Sequence, residues 1–232
     1  MTIFAEPAGD STTDGVGSTD NDGFPGFMYD WFFPQTGMPA FCHTGDVIGL
    51  TRKNIRHHGF SGQRAGVFAA AGTILADGSS SSGARDINLR LASTLLRRPK
   101  IYQLWIGTNG AANSNTQTDQ ELTDIDTVMR QALATHPNCV YIVGNLMNST
   151  DANAAFKTRF NNGIGAIWSG LISSGMRLVR AGIDAGSSPN SVINTGTDLS
   201  DGLHPNDTGY SKLAAQCWEP CWLYASTQYS LI

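Results

Sequence analysis

Near the end of the chain stands DGLHPNDTGY, residues Asp201 to Tyr210, in which a carboxylate and an imidazole lie three residues apart in a turn-forming context. At that spacing Asp201 can accept the proton on Nδ1 of His204 and leave Nε2 free as a base. Such a base takes the proton from a hydroxyl that is otherwise too weak a nucleophile at neutral pH. The natural hydroxyl is Ser11, in the polar stretch GDSTTDGVGSTDNDG (residues 9–23) behind an apolar N-terminal run. The chemistry suggested is acyl transfer, which builds negative charge on a carbonyl oxygen and needs fixed donors around it. The N–H of Ser11, the backbone N–H of Gly62 and the side-chain amide of Asn109 are the candidates. Asp198 and Asp184 are alternative carboxylate partners for His204.

The same polar stretch also looks like part of a cation loop. With Asp20, Asp22 and Gly23 at positions three, five and six of an EF-type calcium loop, the required bidentate Glu falls on Tyr29, and the pattern fails. Its acidic tail then reads as a solvated loop beside the cleft, while Asp10 and Asp14 stay open as cation ligands. A zinc site made from Cys42, His43, Cys217 and Cys221 lacks compact CxxC spacing. Cys217 and Cys221, four apart around Pro220, either pair in an oxidising compartment or remain buried thiols.

These side chains need strands to carry them. Short apolar runs predict strands over 2–8, 54–58, 101–107, 139–145 and 176–183, and helical spacing recurs over 84–98, 119–136, 152–174 and 207–218. The alternation predicts an α/β fold, a three-layer α/β/α sandwich around a mainly parallel five-stranded sheet. In such sheets sites gather beyond the carboxyl ends of strands. Ser11 follows the first strand, Gly59 to Gly62 the second, Gly107 to Gly110 the third, and Asp201 to His204 the fifth. Residues 15–46 and 78–83 read as irregular, with Tyr29, Trp31, Phe32 and Phe33 as satellite core in preference to a substrate wall.

At 232 residues and 41% hydrophobic content the chain is long enough for one substantial core, so a single domain over 1–232 is expected. The net charge is −4, and no basic block stands out beyond Arg97, Arg98 and Lys100, which argues against nucleic acid as a partner. No run approaches the roughly 18–20 apolar residues of a membrane helix, so no membrane partner is expected. TIFAEPA after Met1 reads as a strand and not as a signal peptide. Low charge, at 15%, with abundant Gly, Ser, Thr and Asn suits an extracellular protein.

Four blocks taken together carry a resemblance. GDSTTDG, GFSG (59–62), IGTNG (106–110) and DGLHPNDTGY resemble, in order and spacing, the blocks of the SGNH hydrolases, also called GDSL esterases and lipases. The resemblance implies a flavodoxin-like sheet, no cofactor, and ester hydrolysis through an acyl-Ser11. Asp201 and His204 would complete a triad, and Ser11, Gly62 and Asn109 an oxyanion hole. The second and last blocks look most like carbohydrate esterase family 3, which removes acetyl groups from xylan, so the implied partner is a small-molecule or polysaccharide ester. Gly110 departs from the Asp usual after the third-block Asn, and His58 and Gln63 depart from the acidic residue and Trp common around the second block. Two alternatives stand beside this reading. One is a broad lipase, arylesterase or thioesterase on the same machinery; the other is a non-catalytic glycan-binding module, against which intact Ser11, Asp201 and His204 speak.

Overall fold

The computed structural model describes residues 2–20, 22–32, 40–43, 47–48, 56–59, 61, 64–65, 99–111 and 114–231. In chain order the elements are β1 (Thr2–Gly9), α1 (Ser11–Asp14), α2 (Gly23–Phe32), β2 (Ala40–His43), β3 (Val47–Ile48), β4 (Arg56–Gly59) and β5 (Ile101–Trp105). Then follow α3 (Asn115–Thr135), β6 (Val140–Val143), α4 (Ala154–Ser173), β7 (Arg177–Arg180), α5 (Pro189–Val192), α6 (Asp207–Lys212), a π-helical stretch (Leu213–Trp218) and α7 (Glu219–Gln228). The expected helix over 84–98 and the loop over 78–83 lie outside the described residues.

Strands β1, β5, β6 and β7 pair in parallel in that order. Beyond β1 the full-length fifth strand expected over 54–58 is not found among the described residues; two short segments pair there instead. β2 runs parallel to Thr2–Ala5, while β4 meets only Ala8 and Gly9. β3 adds to β4 antiparallel.

Every residue of β5 and β6 is buried, as expected of central parallel strands covered on both faces. Side-chain alternation splits them between two layers. Tyr102, Leu104, Tyr141, Val143 and Leu178 pack against α3 and α4 through Ile125, Val128, Phe160 and Trp168. Ile101, Trp105, Val140, Ile142 and Val179 face Phe24 and Met28 of α2, together with Trp218 and Trp222. The three-layer α/β architecture follows. Within β5, Gln103 Oε1 accepts from Trp222 Nε1–H at 2.7 Å.

Some expectations change. Residues 15–46 are not wholly irregular, because α2 and β2 form there. Pro25 lies in the first turn of α2, where backbone N–H groups have no helical partner to lose. The side chains of Tyr29, Trp31 and Phe32, and Phe33 altogether, lie outside the described residues. Asp22 is not solvated: it is buried just ahead of α2, and its carbonyl accepts from Gly26 N–H.

The helix expected over 207–218 continues to Gln228 through the π-helical stretch. Pro220 has no N–H to give to the carbonyl of Gln216, and that carbonyl accepts from Ser187 N–H at 2.7 Å instead. Cys217 and Cys221 lie along this path as buried free thiols, as is Cys139, so the disulfide alternative falls away. Burial pushes the Cys217 thiol up to about 12.

Candidate active site

Ser11 opens α1 directly beyond the carboxyl end of β1. Asp10 caps this short helix, its Oδ1 accepting from Thr12 N–H at 3.1 Å and from the Thr12 hydroxyl at 2.8 Å. Its other oxygen accepts from Thr108 N–H at 3.2 Å. One buried carboxylate therefore ties the Ser11 turn to the loop after β5. Burial raises its pKa, against the lowering effect of these same hydrogen bonds.

His204 stands between a hydroxyl and a carboxylate. Its Nε2 is 2.9 Å from Ser11 Oγ and its Nδ1 is 2.7 Å from Asp201 Oδ2. The other Asp201 oxygen accepts from His204 N–H at 2.7 Å and Leu203 N–H at 3.0 Å, an Asx-type turn that fixes the carboxylate on its own loop. Burial tends to raise the Asp201 pKa, but the hydrogen bonds from the His204 backbone and ring and from Leu203 outweigh it and bring it down to about 2. An ionised carboxylate can only accept, so Nδ1 of a neutral His204 carries the proton and Nε2 turns its lone pair toward Ser11. Ser11 is almost fully buried, while the Asp201 side chain is 54% exposed. The acid stands at the rim and the hydroxyl in the recess.

The loops carrying Ser11 and His204 are clamped together away from the reacting atoms. Tyr210 donates its hydroxyl to Val16 O at 2.8 Å, and Thr19 donates N–H and hydroxyl to the Asp207 carboxylate at 2.9 and 2.6 Å. Gly17 has φ of +96°, and a Cβ there would lie 2.5 Å from Pro205 O and 3.0 Å from His204 Cβ. Sequence reasoning missed this clamp. Both Tyr210 and Asp207 lie in the quoted DGLHPNDTGY, but nothing local marks which residues they reach.

Of the alternative acids, Asp198 takes Lys212 Nζ at 2.7 Å and Asn194 N–H at 2.8 Å, and Asp184 takes Arg180 at 2.7 Å. Asp201 is the carboxylate brought to His204. Asn109 sits half-buried on the loop after β5, its carbonyl accepting from Gln117 Nε2 at 3.4 Å. Gly62 lies outside the described residues. Among the described residues there is no group of three or more His, Cys, Asp or Glu side chains that could hold a metal ion.

An imidazole poised in this way between a recessed hydroxyl and an anchored carboxylate can generate an alkoxide-like nucleophile. Comparison with known proteins gives the family and the fold. The sequence profile of the GDSL-like Lipase/Acylhydrolase family matches residues 6–217. No curated protein sequence matches the chain. Among solved structures, a family 3 carbohydrate esterase of Clostridium thermocellum is 21% identical with a TM-score of 0.73, over 98% of this chain and 96% of that one. A family 3 carbohydrate esterase from Talaromyces cellulolyticus is 16% identical with a TM-score of 0.73, over 99% of both chains. A mutant acetyl esterase with an acetate ion is likewise 16% identical with a TM-score of 0.73, over 97% of this chain and 99% of that one. These likenesses show a shared fold, and the profile covering most of the chain shows the family: the protein belongs to the GDSL-like lipases and acylhydrolases, with the SGNH hydrolase fold, and is a carboxylic ester hydrolase.

Proposed function

We propose that the chain is a serine esterase that removes short acyl groups, acetyl above all, from carbohydrates such as acetylated xylan. The observation that carries this reading is the position of His204, within hydrogen-bonding distance of both Ser11 and Asp201. Ser11 Oγ attacks the ester carbon as its proton passes to His204 Nε2. Negative charge then builds on the former carbonyl oxygen, toward donors assigned to Ser11 N–H, Gly62 N–H and the Asn109 amide; one such donor is worth about 2.7–4 kcal/mol of barrier elsewhere. Collapse expels the sugar hydroxyl, which takes the proton back from His204. Water then repeats the sequence on acyl-Ser11, with His204 as base, to release the acid and free serine. Asp201 stays ionised throughout and steadies the imidazolium.

The preference for acetylated sugars is supported by the GFSG and DGLHPNDTGY blocks and by the likeness to family 3 carbohydrate esterases. The deciding assay is acetate release from acetylated xylan, from acetylated monosaccharides and from p-nitrophenyl esters of rising chain length. The expected pattern is release from the sugars and a steep fall in rate beyond acetyl. A flat chain-length profile without release from xylan favours a broad arylesterase or lipase. In Ser11→Ala, hydrolysis of p-nitrophenyl acetate should fall by on the order of 10³-fold or more. Unchanged hydrolysis would remove Ser11 from the mechanism.

A further inference from the structure

Glu121, on the second turn of α3, is a buried carboxyl that the mechanism above does not use. Its Oε1 accepts from Ala65 N–H at 2.8 Å, in the segment that follows the GFSG block. Its carboxyl group also lies against Gly110, the residue after Asn109. A Cβ built on Gly110 would fall on the carboxyl carbon of Glu121. The volume that a side chain at 110 would occupy is thus filled by a carboxyl delivered from a neighbouring helix. This is also the position at which the third block departs from its usual Asp.

The surroundings make this carboxyl a fixed part of the loop. α3 is anchored at its start by Ser114, whose Oγ accepts from Gln117 N–H at 3.1 Å. The loop it faces is closed by Ala111 N–H donating to Gly107 O at 2.7 Å, and is held from the other side by Asp10 through Thr108 N–H. Gln117, one turn before Glu121, donates to the Asn109 carbonyl at 3.4 Å. The start of α3 therefore grips the Asn109–Gly110 peptide from two side chains. Ala65 is the third party, and it is buried.

We propose that Glu121 is a positioning residue for the oxyanion donor Asn109: its carboxyl fills the vacant side-chain space at Gly110 and accepts from Ala65 N–H, so that the Asn109 loop and the segment at Ala65 are held in one geometry. The inference rests on the acyl-serine reading above, because it assigns Glu121 to the placement of a donor in that mechanism. Donors act only if they are preorganised, and a displacement of about 1 Å can cost on the order of 10²-fold in rate. A Glu at this place holds the loop without touching the reacting atoms.

The test uses four variants of the full chain and two readouts, steady-state kinetics on p-nitrophenyl acetate and the thermal midpoint. Glu121→Met fills the volume but cannot accept from Ala65, and should lower kcat by about 10- to 100-fold with KM within about threefold. Glu121→Gln keeps the acceptor and should hold kcat within about threefold of the unaltered chain. Gly110→Asp alone places two carboxyls in one space and should lose activity. Gly110→Asp combined with Glu121→Ala restores a single carboxyl at that place and should recover most of the kcat that Glu121→Met loses. If Glu121→Met keeps kcat within twofold, or if kcat in every variant simply follows the thermal midpoint with no rescue in the double variant, the inference is overturned. Ser11→Ala, run alongside, separates the two readings: loss of activity there with an unaffected Glu121→Met leaves the esterase mechanism standing and removes only the role of Glu121.

Discussion

Asp201 stands at an exposed position, and this sets what it would contribute to the proposed mechanism. Water competes for its Oδ2, but the two backbone N–H groups on Oδ1 hold the carboxylate where His204 needs it. Asp201→Asn keeps the side chain's size and its acceptor oxygen, yet its amide N–H₂ can favour the wrong imidazole tautomer. The expected result is a fall in kcat on p-nitrophenyl acetate of about 10²- to 10⁴-fold with little change in KM, the range that such replacements reach in other serine hydrolases. A fall of less than about threefold would mean that another carboxylate, or water, orients His204. At this scale much of the site was legible. Asp201 and His204 stand three residues apart, so spacing suggested that pair, while Ser11 stood out by its place after a strand and by the resemblance of the four blocks taken together. The proposed role of Glu121 was not legible, because it comes from the carboxyl's occupying the side-chain space that Gly110 leaves, which no local pattern reveals.

At the scale of elements, legibility followed the hydrophobic period. β6 is a continuous apolar run and β5 is broken only by Gln103, and α3 and α4 repeat apolar residues along one face, so their type is dictated locally. α2 was obscured by Gly23, Pro25 and Gly26, which are tolerable only because they fall in its first turn. The π-helical stretch was invisible for a different reason: the local pattern continues smoothly, and only Pro220 and the Ser187 N–H far along the chain explain why the hydrogen-bond register changes. The clamp between the Ser11 loop and α6 belongs to this scale too. Gly17→Ala would force a side chain into left-handed backbone and into the Pro205 carbonyl, a cost of about 1–2 kcal/mol from the backbone alone. The thermal midpoint should fall by roughly 2–8 °C, measured by differential scanning calorimetry. Activity should fall by more than this stability loss accounts for, since the same push separates Ser11 from His204. A midpoint shift without loss of kcat would show that the Ser11–His204 distance does not depend on this contact.

For the whole molecule, titration decides where the fold is firmest. Burial pushes Glu121 and Glu219 up to about 7, Glu121 being raised further by Asp10 and Asp124 and lowered by Arg64. The ordinary Glu value is 4.5, so between these limits the folded chain binds more protons than the unfolded one. Their contribution to stability is therefore complete below about 4.5 and is lost as pH rises through about 7. Asp201 acts in the opposite sense, with a value of about 2 against an ordinary 3.8, so its contribution is present above 3.8 and is lost as pH falls toward 2. The thermal midpoint should accordingly be highest near pH 4–5 and decline by several degrees toward pH 8, and Glu121→Gln should flatten that decline. A midpoint rising steadily from pH 5 to 8 would contradict the burial of both Glu side chains.

Apart from the Ser11–His204 hydrogen bond itself, the loops carrying these two residues are joined through Thr19, Asp207, Val16 and Tyr210, in contacts that do not include the Ser11 hydroxyl. In the proposed mechanism the attacking oxygen is a passenger on its scaffold. A chain carrying Ser11→Ala should therefore keep its cleft in shape while sparing any ester placed in it. That turns the inactivated protein into a reagent: a receptor on which intact acetylated oligosaccharides can be titrated by calorimetry, so that recognition of the sugar is read separately from cleavage of its ester.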